Sequence, residues 1–207
     1  MANTRQHWNT IFSATSDPDL GWYERESDQT LKHIDRVPLG PGSVIFLAGA
    51  GTTGLVEALL AQEARLIVND ISDAAIRKVK ARLGERADQV TWIHQDISHP
   101  LPEDLPDVDL WIDRAVLHFL LAEADIRSYF ANLRSRICCS GHVLMAEFSV
   151  SGAPRCAGLD LHRYSVQELT ERMGPAFTLL HHEDYTFVNP RGAPRPYIYT
   201  LFRREHE

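Results

Sequence analysis

From residue 43 onward the chain alternates short apolar runs with segments whose apolar residues recur every three to four positions, the pattern of βαβ units on a parallel sheet. Residues 43–47 predict a first strand, and residues 55–63 the helix after it. "RLIVND" predicts a buried second strand, and "SDAAIRKVKARLG" a helix that Ser72 caps and Gly84 ends. "VTWIHQD" is a third strand, and after the proline-rich "HPLPEDLP" the run "VDLWID" is a fourth. Residues 124–137, with Ile126, Phe130, Leu133 and Ile137 near a 3.6-residue period, predict a helix, and "HVLMAEF" a fifth strand. Ser165 and Glu168 form a capping-box pattern opening a helix over 166–173.

Both ends depart from this alternation. "FTLLHHEDYTF" and "YIYTLFRR" are strand-like runs joined by "VNPRGAPRP", which contains no helix. Such a link suits an antiparallel hairpin and cannot make a right-handed parallel crossover. Residues 1–42, with Trp8, Trp22 and Tyr23, predict a helical extension over a core spanning residues 43–207, the whole forming a single domain.

Composition narrows the function classes. A chain of 207 residues with 44% hydrophobic and 24% charged residues fits one globular domain. No apolar run approaches the roughly 18 residues of a membrane span. The N-terminal "MANTRQHWNTIF" lacks the apolar core of a secretory signal, so a cytoplasmic protein is expected. A net charge of −7 argues against an extended nucleic-acid surface. Three cysteines, two of them adjacent, make no disulfide framework, and neither they nor the histidines show metal-ligand spacing, so no metal is assigned.

Ligands of a doubly wound sheet bind beyond the carboxyl ends of its strands, so the residues closing each strand are the candidates. The first strand runs into "GAGTTG", where Gly49, Ala50 and Gly51 allow a tight turn and close backbone approach to a ligand. Asp70 closes the second strand 19 residues after Gly51, placed either to accept both hydrogen bonds of a ribose diol or to cap the next helix. Asp96 and Ile97 follow the third strand, where a carboxylate beside an aliphatic side chain suits an adenine ring, or simply starts a turn. These features fit a nicotinamide dinucleotide or another adenine-bearing cofactor. A short-chain reductase would need a Tyr-x-x-x-Lys pair, and no lysine follows Lys80.

The order "GAGTTG", "VNDIS", "VTWIHQDIS", "LWIDRAVLHFL", "GHVLMAEF" and a terminal strand pair resembles the class I S-adenosylmethionine-dependent methyltransferases over residues 43–204. The resemblance implies a Rossmann-like seven-stranded, mostly parallel sheet with an antiparallel last strand and helices on both faces. "WIDRAVLHFL", "CAGLDLHRYS" and "HWNTIF…GWY" are similar to a group of small bacterial members of that class, and "DRA" to thiol methyltransferases. The resemblance implies S-adenosylmethionine as cofactor, contacts at Gly49, Gly51, Asp70, Ile71, Asp96 and Ile97, and a site edge at Asp113 and Arg114. Two positions depart from the family pattern. Leu47 stands where an acidic residue usually precedes the turn, and Thr53 where a glycine is common.

A sulfonium methyl is already activated, so alignment of the nucleophile is the main task, and a base matters most for acceptors protonated at neutral pH. His118, whose imidazole can accept a proton near neutrality, and Asp113 are the catalytic candidates, although a histidine packed on Phe119, and Asp113 and Arg114 paired with each other or their neighbours, explain the same residues. Trp22 and Tyr23 can close the pocket or staple the N-terminal segment. Cys156 can approach the acceptor or be an inert thiol. The leading expectation is methyl transfer to a small heteroatom acceptor, a thiol or sulfide by choice, with protein lysine or a non-catalytic cofactor-binding protein as alternatives.

Overall fold

The computed structural model describes residues 4–24 and 26–205, so parts of the predicted N-terminal extension, residues 1–3 and 25, lie outside the described residues. Five parallel strands lead: β1 (Val44–Ala48), β2 (Arg65–Asp70), β3 (Val90–His94), β4 (Val108–Arg114) and β5 (Ile137–Phe148). A two-strand ladder, β6 (Arg155–Cys156) and β7 (Leu159–Asp160), precedes β8 (Phe177–Val188) and β9 (Pro194–Arg204). The main sheet has seven strands in the order β3-β2-β1-β4-β5-β9-β8. β9 is inserted antiparallel to both its neighbours, β5 and β8.

The alternation of side chains along each strand sorts the core into two layers. Ile45, Leu47, Leu66, Val68, Leu110 and Ile112 face one side, packed with Leu55 and Leu59 of α3 (Leu55–Ala61) and Val79 of α4 (Asp73–Leu83). Phe46, Ala48, Ile67, Trp111, Val143 and Met145 face the other, under Ile126, Phe130 and Leu133 of α5 (Glu123–Arg136) and Leu169 of α6 (Val166–Met173). The Phe46 and Trp111 rings stack at 4.0 Å across β1 and β4.

Ser72 caps α4 by accepting the Ala75 N–H, and Ser165 caps α6 by accepting the Glu168 N–H. The reciprocal half of the predicted capping box is missing, because Glu168 Oε1 instead accepts from Arg172. β5 starts at Ile137, earlier than the apolar run alone predicts, because the chain leaves α5 directly into pairing with Val108 before its register shifts. The extension supplies α1 (Thr4–Ala14) and α2 (Asp28–Ile34). α1 rests on α4, where Asn9 Oδ1 accepts from Ser72 Oγ and the Ala74 N–H.

Candidate functional site

The carboxyl ends of the strands open into a cavity of about 550 Å³, within the range of small-molecule sites. Its floor is the turn after β1. Gly49 and Gly51 both hold positive φ, +52° and +55°. A Cβ on Gly49 would lie 2.2 Å from Val116 Cγ2, so only glycine lets the backbone pass. Thr53, the departure from the glycine pattern, has a local use: its Oγ1 accepts the Leu55 N–H at the start of α3.

Gly49, Ala50, Gly51, Asp70, Ile71, Asp96 and Ile97 all border this cavity. Asp70 is buried, and its two oxygens accept the N–H groups of Gly51 and Ser72, each at 2.7 Å. The carboxylate therefore ties the glycine turn to the start of α4, and each oxygen keeps a second lone pair for a ligand. Burial pushes its carboxyl up to about 6 despite these bonds. Asp96 Oδ1 accepts from the backbone and hydroxyl of Ser98, a local turn that fixes the carboxylate at the cavity rim.

Asp113 corrects the expectation placed on it. It is fully buried and does not border the cavity. Its Oδ1 accepts the Val116 N–H, and its Oδ2 accepts the Leu117 N–H and, at 2.6 Å, the Tyr129 hydroxyl. Those bonds stabilise the turn in which Ala115 adopts a φ of +69°. Asp113 shapes the site from behind and has no free surface for acid–base work.

His118 does line the cavity, and its partner is a residue the sequence reading passed over. Its Nδ1 lies 2.7 Å from Glu147 Oε2, and its backbone N–H donates to the same oxygen. Nε2, across the ring, has no protein partner. Burial pushes the imidazole down to about 3 and Glu147 up to about 8. Asp113 rises well above the usual carboxylate range, through burial and then the nearby Glu147. At neutral pH the cluster therefore holds a neutral imidazole beside a Glu147 carboxyl that retains its proton, rather than a charged ion pair. In the tautomer with Nδ1–H donated to Glu147 Oε2, the Glu147 proton sits on Oε1 and the Nε2 lone pair is left free.

The raised Glu147 carboxyl carries a sign that can be measured. The folded protein keeps this proton up to about pH 8, whereas a free glutamate releases it near 4.5. The folded state binds the proton more tightly, so this group's contribution to stability is largest below about pH 4.5 and falls as pH rises to about 8. Glu147→Gln should gain stability relative to the parent between about pH 5.5 and 8.5, read as urea midpoints at both pH values. A difference that does not change with pH would assign Glu147 an ordinary pKa.

The N-terminal segment covers the cavity. The rings of Trp8 and Phe119 meet at 4.9 Å, and those of Trp8 and Trp22 at 5.6 Å. Trp22 and Tyr23 line the wall. His7 Nε2, on α1, lies 3.0 Å from the carbonyl of Ala157 between β6 and β7, next to Cys156, which also borders the cavity. Burial raises the Cys156 thiol, so it stays protonated and contributes shape rather than nucleophilicity. Arg114 holds the segment by an ion pair to Glu24 at 2.7 Å and lies over the rings of Phe187 and Tyr197. Glu24 Oε2 and Arg114 Nε are buried without protein partners, and both residues border the cavity.

Residues 47–143 match the family described as Methyltransferase domain. No curated protein matches the chain. Among solved structures, the N-methyltransferase NodS of Bradyrhizobium japonicum WM9, in complex with S-adenosyl-l-homocysteine, is similar with a TM-score of 0.77 at 18% identity, covering 99% of this chain and 100% of that one. The 1,6-didemethyltoxoflavin-N1-methyltransferase of Burkholderia thailandensis gives 0.66 at 20%, covering 87% and 76%. The [4+2]-cyclase SpnF gives 0.70 at 14%, covering 93% and 85%. At these identities the likeness establishes the Rossmann-like methyltransferase fold.

Proposed function

We propose that this chain, with its methyltransferase-domain match over residues 47–143 and its Rossmann-like fold, is an S-adenosylmethionine-dependent methyltransferase acting on a small heteroatom acceptor. One observation carries the reading. The glycine turn, Asp70, Asp96 and His118 come from four separate strand ends and border one cavity. The residues present fit the cofactor. Gly49 forms a cradle that a Cβ would fill, Asp70 is placed for a ribose, and Asp96 with Ile97 for an adenine. The methionine end is an amino-acid zwitterion. The unpartnered Glu24 Oε2 suits its ammonium and Arg114 Nε its carboxylate, so Glu24 takes the part of the acidic residue that Leu47 lacks.

The bound cofactor supplies a methyl group activated by its sulfonium. The chain aligns the acceptor, excludes water beneath the Trp8, Trp22 and Phe119 rings, and offers the His118 Nε2 lone pair to the acceptor's proton. The Trp8, Trp22 and Phe119 rings cover the cavity, which favours a small acceptor over a protein lysine.

Sulfur is the acceptor we favour, from the "DRA" similarity and because a thiol near its pKa can give up its proton to a weak base such as buried His118, where a hydroxyl or ammonium would not. A nitrogen acceptor is the second reading, favoured by the N-methyltransferase names of two relatives. The cyclase with the same fold is a reminder that fold does not fix reaction.

The test is calorimetric titration with S-adenosylmethionine, its demethylated product and NAD, followed by labelled-methyl transfer to thiols, sulfide, phenols and amines. Micromolar binding of the first two without NAD is expected, and Glu24→Gln should weaken both by roughly 10- to 100-fold, the worth of a charge-assisted hydrogen bond. Binding of NAD alone would overturn the cofactor. Transfer to amines or oxygen alone would remove sulfur.

A further inference from the structure

We propose that His33, His181 and Glu183 form a binding site for a divalent metal of the Zn²⁺ class, separate from the cavity. None of the three borders that cavity. His181 and Glu183 are two residues apart on β8, so their side chains leave the same face of the strand. α2 covers that face. His33 is fully buried there, with its ring stacked on Tyr199 of β9 at 4.9 Å and 10°. One ligand atom from each of the three residues lies within 4.8 Å of the others.

The spacing already suits a metal. His33 Nε2 and Glu183 Oε2 are 3.3 Å apart, close to the ligand separation of about 3.4 Å that tetrahedral zinc with bonds of about 2.0–2.1 Å requires. His181 Nε2 is buried and has no partner, a condition that native interiors normally avoid. Imidazole and carboxylate together are the usual ligands of Zn²⁺. Two neighbours complete the surroundings. Gln29 Nε2 lies 3.3 Å from His33 Nε2, and the Lys32 ammonium bonds both Glu183 oxygens at 2.9 and 2.8 Å. A cationic group thus sits at this carboxylate, and the metal would replace it. Lys32, 48% exposed, is free to swing into solvent. With solvent in a fourth position, the ion would pin α2, and with it the N-terminal segment, to β8.

The inference departs from the absence of metal spacing in the sequence, and it does not depend on the methyltransferase reading. The experiment uses the full chain without a histidine tag, stripped with a chelator and titrated with Zn²⁺ by calorimetry and thermal unfolding. One equivalent should bind and raise the Tm. His181→Ala and Glu183→Gln, each verified as folded by circular dichroism, should weaken binding by more than about tenfold. Lys32→Met, which removes the competing ammonium, should keep or tighten it. Absence of saturable binding at one equivalent would overturn the site. So would binding undiminished in His181→Ala, or a loss in Lys32→Met equal to that in Glu183→Gln.

Discussion

Gly49→Ala is expected to weaken binding of S-adenosylmethionine by more than about 100-fold. Two independent costs fall on this one methyl group. The turn holds Gly49 at a φ of +52°, where an L-residue costs about 1–2 kcal/mol. The new Cβ would also sit 2.2 Å from Val116 Cγ2, and valine is stiff at χ1, so it cannot rotate away cheaply. Overpacking of this kind adds about 1–3 kcal/mol. The backbone must move, and the moving segment is the one whose Gly51 N–H is held by Asp70. The double variant Gly49→Ala/Val116→Ala removes the overlap and leaves only the backbone cost, so it should recover most of the affinity. Titration of the three proteins checks this, and an affinity of Gly49→Ala within threefold of the parent would show that the cofactor does not approach the turn.

His118→Ala should lower turnover by about 100-fold or more, the lower range for loss of a positioned proton acceptor, while cofactor affinity stays within about threefold. The reason is the asymmetry of the imidazole. Nδ1 is engaged by Glu147, Nε2 is unpartnered, and burial keeps the ring neutral. Such a ring can receive an acceptor's proton as the new bond to carbon forms. Because its pKa is pushed down to about 3, the pH profile of kcat should show no inflection from His118 near 6.5. Truncating a buried ring also costs stability, so added imidazole supplies the second readout: rescue of turnover in His118→Ala points to chemistry, whereas a packing defect alone would leave turnover unmoved by it. Parent-like turnover in the unrescued variant would end the case for His118.

The layer order of the protein was legible because it is written locally. Continuous apolar runs marked the strands, Ser72, Ser165 and Gly84 marked helix ends, and the proline-rich link before β9 excluded a parallel crossover. The glycine turn, Asp70 and Asp96 could likewise be placed, since strand ends on one side of a parallel sheet must share one edge. Glu147 left a trace, a single charge inside the apolar run "HVLMAEF", but its meaning depends on His118, 29 residues earlier in the chain.

Asp113 shows the reverse. The family resemblance made it a candidate, and only packing revealed that Tyr129 and two backbone N–H groups occupy it. The pairing of Glu24 with Arg114 joins the N-terminal segment to β4, and the cluster of His33, His181 and Glu183 joins α2 to β8. No spacing rule reaches across such distances. Periodicity and capping act between neighbours in the chain, so the sequence by itself determined the elements, their order and the edge where a ligand binds. Which side chains keep a free lone pair at that edge depends on burial and on contacts between remote segments, and those only the tertiary structure decided.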